Sequence, residues 1–247
     1  MTSSTRLTTA QYRELWMQDL ERFVLAQTGN DASAVPTCPE WSVADLADHL
    51  AGVYEHKILL LETGKFPSRV DTAAFHEARR SDPDRLRHAA TELVAALSAH
   101  ADHDPAPTFM AEDQTIGFWW RRMALETAVH RTDAEMASGS RTPVDAALAV
   151  DGIDELLWFA TAPWSTVGDR STWVGQRILV DAGVTTWVVT LDTEGIEVDH
   201  GGGACDAAIA GAPDALLQWA AGRWEDGLVR SGDGAALELL EAHLRGF

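Results

Sequence analysis

From Thr8 to about Gln27 the apolar side chains Tyr12, Leu15, Trp16, Leu20, Phe23 and Val24 recur at steps of three and four, which places them on one side of a helix. After a turn-rich stretch from Asp31 to Pro39, Ser42 stands before a second helical pattern. Asp45 follows three residues later in a shortened capping-box arrangement, and the helix is expected to run to about Glu62. Asp82-Pro83 opens a third helix reaching about His100, which the polar loop through His103, Asp104, Pro105 and Pro107 ends. A fourth spans about Ile116 to Ser138, and a fifth follows Pro143 over Val144 to Ala160.

Beyond Pro163 the period changes. Arg177 to Val180, Thr185 to Leu191 and Gly195 to Val198 read as short β-branched strands, with Glu194-Gly195 as a turn between the last two. A further strand over Ala207 to Ala210 leads into Gly211-Ala212-Pro213, where proline suits the first turn of a helix ending near Gly222. A last helix covers Ala235 to Leu244. The expected fold class is therefore α+β: an N-terminal antiparallel four-helix bundle over residues 1–165, then a small α/β domain over residues 166–247.

A chain of 247 residues, 46% of them hydrophobic, is long enough for such a pair. No apolar run approaches the roughly 18 residues that a bilayer span needs, and the polar N-terminus has no apolar leader core, so the expected location is cytoplasmic. A formal net charge of -19 repels phosphate backbones and anionic lipid, which argues against nucleic-acid and membrane partners. Cys38 and Cys205 lie far apart without a CxxC partner, so any bound metal must rely on histidine and carboxylate.

Such a set is present. On the fourth helix Trp119, Met123, Glu126, His130 and Asp133 form one stripe that begins apolar and turns ionisable. Glu126 and His130 are an i,i+4 pair that suits one shared ion. On the second helix Leu46, His49, Val53, His56 and Leu60 make a comparable stripe, with His49 on the side expected to face the bundle interior. Two imidazoles and one carboxylate from facing helices give zinc three protein ligands and leave a fourth position open. The same set accepts other divalent ions, and a buried Glu126–His130 hydrogen-bonded pair without metal is the structural alternative.

These residues sit in segments that resemble a known family. Thr37 to Gly52, TCPEWSVADLADHLAG, is similar to the CPGW(T/S)VxDLxxHLxG signature of the mycothiol-dependent maleylpyruvate isomerase family, within the wider group of DinB-like metal-binding helical bundles. Arg121 to Glu135, RRMALETAVHRTDAE, resembles that family's RRxxxETxVHRxDAE helix. Ile209 to Arg223 is a weaker match to a segment of the small, sterol-carrier-like α/β domain that these proteins carry. The resemblance implies metal ligands at His49, Glu126 and His130, the residues that the stripes single out, and a catalytic role for Arg223. Glu40, Leu125 and Thr132 stand where glycine, histidine and tryptophan are usual, departures that bear on the substrate rather than the metal.

The function that the resemblance implies is that of a zinc-dependent enzyme using a low-molecular-weight thiol, mycothiol, for S-transfer to a small electrophile or for cis-trans isomerisation, as a monomer or homodimer. Two alternatives stand beside it. One is a metal-dependent hydrolase, with water activated to a pKa of about 7 and His56 as a base. The other is a non-catalytic ligand-binding or resistance protein, with Trp119 and Trp120 lining its pocket. His100 and His103 read as solvated loop residues, His200 carries no discriminating signal, and Cys38 reads as a small buried hydrophobe.

Overall fold

The computed structural model describes residues 5–165, 170–224 and 226–245. They form two compact units, one over Leu7–Thr142 and the other made of the remaining described residues.

The first unit is helical: α1 (Thr9–Gln27), α2 (Val43–Thr63), α3 (Arg69–Glu77), α4 (Arg85–Ser98) and α5 (Ile116–Ala137), with a small hairpin of β1 (Ala34–Val35) and β2 (Cys38–Ser42) ahead of α2. Local chemistry sets the helix ends. Thr8 caps α1 in a full capping box with Gln11, and Ser42 caps α2 in another with Asp45. The left-handed Gly64, at φ 66°, closes α2, a conformation that a side chain would disfavour.

The core of this unit is aromatic. Trp16 on α1 is fully buried, meets Tyr54 at 5.3 Å and Trp120 at 5.9 Å between ring centroids, and donates its indole N–H to the Tyr54 hydroxyl at 3.0 Å. The Tyr54 and Thr127 hydroxyls share a hydrogen bond of 2.5 Å that pins α2 to α5. The pairs His49 with His130, Tyr54 with Thr127 and Lys57 with Trp119 step in opposite senses along the two helices, so α2 and α5 run antiparallel. Trp16 with Trp120, Asp19 with Arg131 and Arg22 with Glu135 step in the same sense, so α1 accompanies α5. A second buried anchor holds α4: Arg85 grips both oxygens of the fully buried Glu55 on α2, at 2.7 and 2.6 Å, and also contacts Asp48.

The second unit carries a five-stranded sheet in the order β5-β4-β3-β6-β7. Its strands are β3 (Val174–Asp181), β4 (Thr186–Asp192), β5 (Gly195–His200), β6 (Ala207–Ala210) and β7 (Val229–Gly232), and all neighbours are antiparallel except β3 and β6. Three helices accompany it: α6 (Ala146–Ala160), α7 (Pro213–Ala220) and α8 (Gly234–Leu244). At the end of β7 a Cβ on Gly232 would stand 2.2 Å from the Asp206 carbonyl oxygen, so only glycine lets the chain pass there.

The sequence pattern places α6 with the bundle and the boundary after residue 165. In the structure α6 groups with the second unit: it packs on α7 and α8, Asp154 accepts the Trp187 indole N–H from β4 at 3.0 Å, and Asp214 accepts the Val144 amide at 2.9 Å. Residues 166–169, at the start of the expected second domain, lie outside the described residues. Helix α3 and strands β1, β2 and β7 are additions to the predicted elements. Among the described residues no helix is long and apolar enough to cross a membrane.

Candidate metal centre

His49 on α2 and Glu126 and His130 on α5 come together as the stripes predict. One ligand atom from each lies within 4.8 Å of the others, and among the described residues this is the one group of three potential ligands so arranged. Glu126 Oε1 is 3.2 Å from His130 Nε2 and 3.6 Å from His49 Nε2. The imidazole rings stand nearly edge to face, 5.1 Å apart at 81°. His130 is buried, Glu126 largely so, and the His49 side chain is 36% exposed, so the cluster is anchored on α5 and reached by solvent from the α2 side.

Neighbouring residues orient each member. Asp133, fully buried one turn beyond His130, accepts from His130 Nδ1 at 3.1 Å, which leaves Nε2 toward Glu126. The other Asp133 oxygen accepts from the Thr37 hydroxyl at 2.7 Å. Trp41, from β2, lays its ring against His49 at 5.0 Å. The short β-hairpin therefore serves the site at three points: Thr37 just ahead of β2 holds Asp133, Trp41 flanks His49, and Ser42 caps the helix that carries His49.

Electrostatics follow from these contacts. Burial pushes the Glu126 carboxyl up, but Arg122 beside it and the two imidazoles outweigh burial and hold it well below the usual carboxylate range. For His130, burial favours the neutral ring, yet Asp133 and Glu126 prevail and lift it to about 9. Glu126 is thus an anion at neutral pH, and without a metal His130 is a cation between two carboxylates.

Several other residues that the sequence singles out have structural surroundings. Arg131 is wholly buried and binds Asp19 on α1 at 3.0 Å, Glu135 at 2.8 Å and the Thr142 carbonyl at 2.6 Å. Trp119 and Trp120 are core residues at 0% and 2% exposure. His56 accepts at Nδ1 from the Lys57 ammonium at 3.0 Å, and burial pushes its ring down to about 4. His200 pairs with Asp154 at 3.0 Å, and His100 stands 3.7 Å from Asp104. Cys38 is a free, partly exposed thiol on β2, less buried than the sequence reading has it. Arg223 belongs to the second unit, just past α7, where it is half-buried and donates to the Ala221 carbonyl at 2.9 Å.

Thr37, Trp41 and Arg122 are not among the expected site residues, although each carries a signal: Arg122 stands four residues before Glu126 on the same helix face, and Thr37 and Trp41 lie in the TCPEW segment, from which the hairpin brings them to Asp133 and His49.

A family model described as the mycothiol maleylpyruvate isomerase N-terminal domain matches residues 6–135. Two solved structures, the crystal structure of the mycothiol-dependent maleylpyruvate isomerase and that of a histidine-to-alanine mutant, share the fold, with TM-scores of 0.62 and 0.63. Each match covers 94% of this chain and 97% of the other, at 16% and 15% identity respectively. No curated protein sequence matches the chain.

Proposed function

This chain belongs to the mycothiol maleylpyruvate isomerase N-terminal domain family, and from that premise we propose that it is a divalent-metal enzyme, zinc being the expected ion, that uses a small thiol, mycothiol, to act on an electrophilic small molecule by S-transfer or cis-trans isomerisation. The observation that carries the reading is the convergence of His49, Glu126 and His130. Two ligand atoms each about 2.0–2.1 Å from a tetrahedral zinc lie about 3.3 Å apart. The separations of 3.2 and 3.6 Å at Glu126 Oε1 are near this spacing, and all three ligand atoms lie within 4.8 Å of one another. The Asp133–His130 contact is the carboxylate–histidine support that such ligands have.

Held by His49, Glu126 and His130, a divalent ion would supply the positive charge that lowers the pKa of a thiol brought to it. The rest falls to the protein. Glu126 contributes the one formal negative charge of the ligand set, and Arg122 keeps it ionised. Asp133 fixes the His130 ring so that Nε2 is the ligating nitrogen. Trp41 limits the freedom of His49, the most exposed ligand. Arg223 is included as the catalytic cation, a role supported by the resemblance of the Ile209–Arg223 segment; its guanidinium would stabilise negative charge developing on the electrophile.

The decisive assay mixes metal-loaded protein with mycothiol and maleylpyruvate and follows thiol and product together. Isomerisation requires the thiol without consuming it, whereas S-transfer consumes one thiol per product. Either outcome, abolished in His49→Ala and reduced in Arg223→Met, supports the reading. Turnover of an activated ester without thiol would replace it with the hydrolase alternative.

A further inference from the structure

Consecutive residues on a helix point about 100° apart, and Trp119 and Trp120 accordingly serve different faces of α5. Trp119 turns to α2, where the Lys57 ammonium lies 4.8 Å from its ring centre, and Trp120 turns to α1, where it meets Trp16 at 5.9 Å. Trp119 donates its indole N–H to the Pro107 carbonyl at 3.1 Å, and Trp16 donates to Tyr54. Trp120 is only 2% exposed, yet among the described residues no group accepts its N–H. A buried indole N–H ordinarily has a partner, so this donor marks a place where an acceptor belongs.

Trp120 lines a cavity of about 660 Å³, walled by the first turns of α1, the end of α4 and the loop that follows it. Such a volume suits a small organic ligand. The loop is held against the start of α5: the Gly117 amide donates to the Asp102 carbonyl at 2.8 Å and the Ile116 amide to the Asp104 carbonyl at 2.9 Å. A Cβ on Gly117 would stand 3.2 Å from the Asp102 oxygen, so glycine eases the close approach. Met17 and Trp120 give the cavity its apolar side, and Arg13, Glu14, His100 and Asp102 its polar rim. Glu14 accepts from the Gln18 amide at 3.1 Å, whereas Arg13 has no ion pair among the described residues, in a chain with 38 acidic side chains. The cavity is separate from the metal centre, since Trp120 precedes His130 by ten residues, about 15 Å along α5, on the face turned to α1.

We propose that this cavity is a second binding site, for a small aromatic monocarboxylate whose ring lies against Trp120 and Met17 and whose carboxylate is taken by the Arg13 guanidinium and the Trp120 indole N–H. An indole face and a thioether favour an aromatic body, and a cation beside a free donor favours a carboxylate. The single charge follows from the rim, where a dianion would meet Glu14 and Asp102. The site does not depend on the reading of the metal centre.

Nitrogen-15 labelling of the ten tryptophans makes each indole N–H observable, and that of Trp120 is assigned by cross-relaxation with the Trp16 ring. Phenylacetate, the neutral phenylacetamide and the dianion phthalate are titrated into chelator-treated full-length protein, so that no metal competes for the carboxylate. Phenylacetate is expected to move the Trp120 signal downfield and saturably, and to bind about tenfold or more tighter than either of the others. Arg13 is exposed, so Arg13→Met is expected to fold as wild type does and to lose the preference for the acid over the amide. His49→Ala is expected to bind phenylacetate at the wild-type affinity. A Trp120 signal unmoved by phenylacetate, an amide or dianion that binds as tightly, or a preference for the acid that survives in Arg13→Met overturns the proposal. So does loss of phenylacetate binding in a folded His49→Ala protein, which would assign the ligand to the metal centre.

Discussion

His130 and Asp133 share one buried hydrogen bond, 3.1 Å from Nδ1 to Oδ2, one helical turn apart on α5. Because a carboxylate only accepts, this contact fixes the proton on Nδ1 and turns Nε2 toward Glu126. Asp133→Asn removes the charge and admits the opposite ring orientation. The expected result is a fall in metal affinity of about 10- to 100-fold, with the helical content unchanged, read by competition against a chromogenic chelator. Unchanged affinity would remove Asp133 from the centre.

The same contacts give the centre a pH dependence with a definite sign. In the metal-free protein His130 is raised to about 9, so its favourable interactions stabilise the fold fully below the unfolded value near 6.5 and are lost as pH rises through 9. Metal binding runs the other way, since the ion must displace that proton. Affinity should therefore climb with pH up to about 9 and level off beyond it. Calorimetry in buffers of different ionisation enthalpy at neutral pH should record about one proton released per ion from His130. Binding without proton release would contradict this.

Arg131 lies in the same segment as the ligands but supports the fold. Replacing it with methionine strands Asp19 and Glu135 without their buried partner. The expected loss is about 3–5 kcal/mol in denaturant unfolding, with metal stoichiometry unaffected in the protein that remains folded.

Ser42 ties the fold to the site, since it caps the helix that carries His49. Ser42→Ala should cost about 1 kcal/mol of stability. A small weakening of metal binding should accompany it, because the first turns of α2 would fray toward His49. Thermal melts with and without added zinc separate the two effects.

What could be read in advance followed from burial. α1, α2 and α5 announce themselves by polar caps and a long apolar stripe, and the ligands were legible because they continue those stripes. α3 has no buried residue and so no apolar face to detect, and every position of β7 is exposed, which removes the alternation that marks a strand. α6 is as apolar as a bundle helix, and nothing in its period says that its partners are α7 and α8 rather than α1 to α5. Thr37 and Trp41 stand in the TCPEW segment, but their contacts with Asp133 and His49 depend on a chain reversal that the period of the helices does not encode.

Whether His49, Glu126 and His130 bind one metal ion together is decided by metal content, measured by mass spectrometry on wild type and on His49→Ala purified without chelator and then offered zinc. The expected result is about one divalent ion per wild-type chain and its loss from a folded His49→Ala protein. A folded wild type that neither carries nor takes up a divalent ion would contradict it and leave the three side chains as a hydrogen-bonded core pair with a flanking histidine.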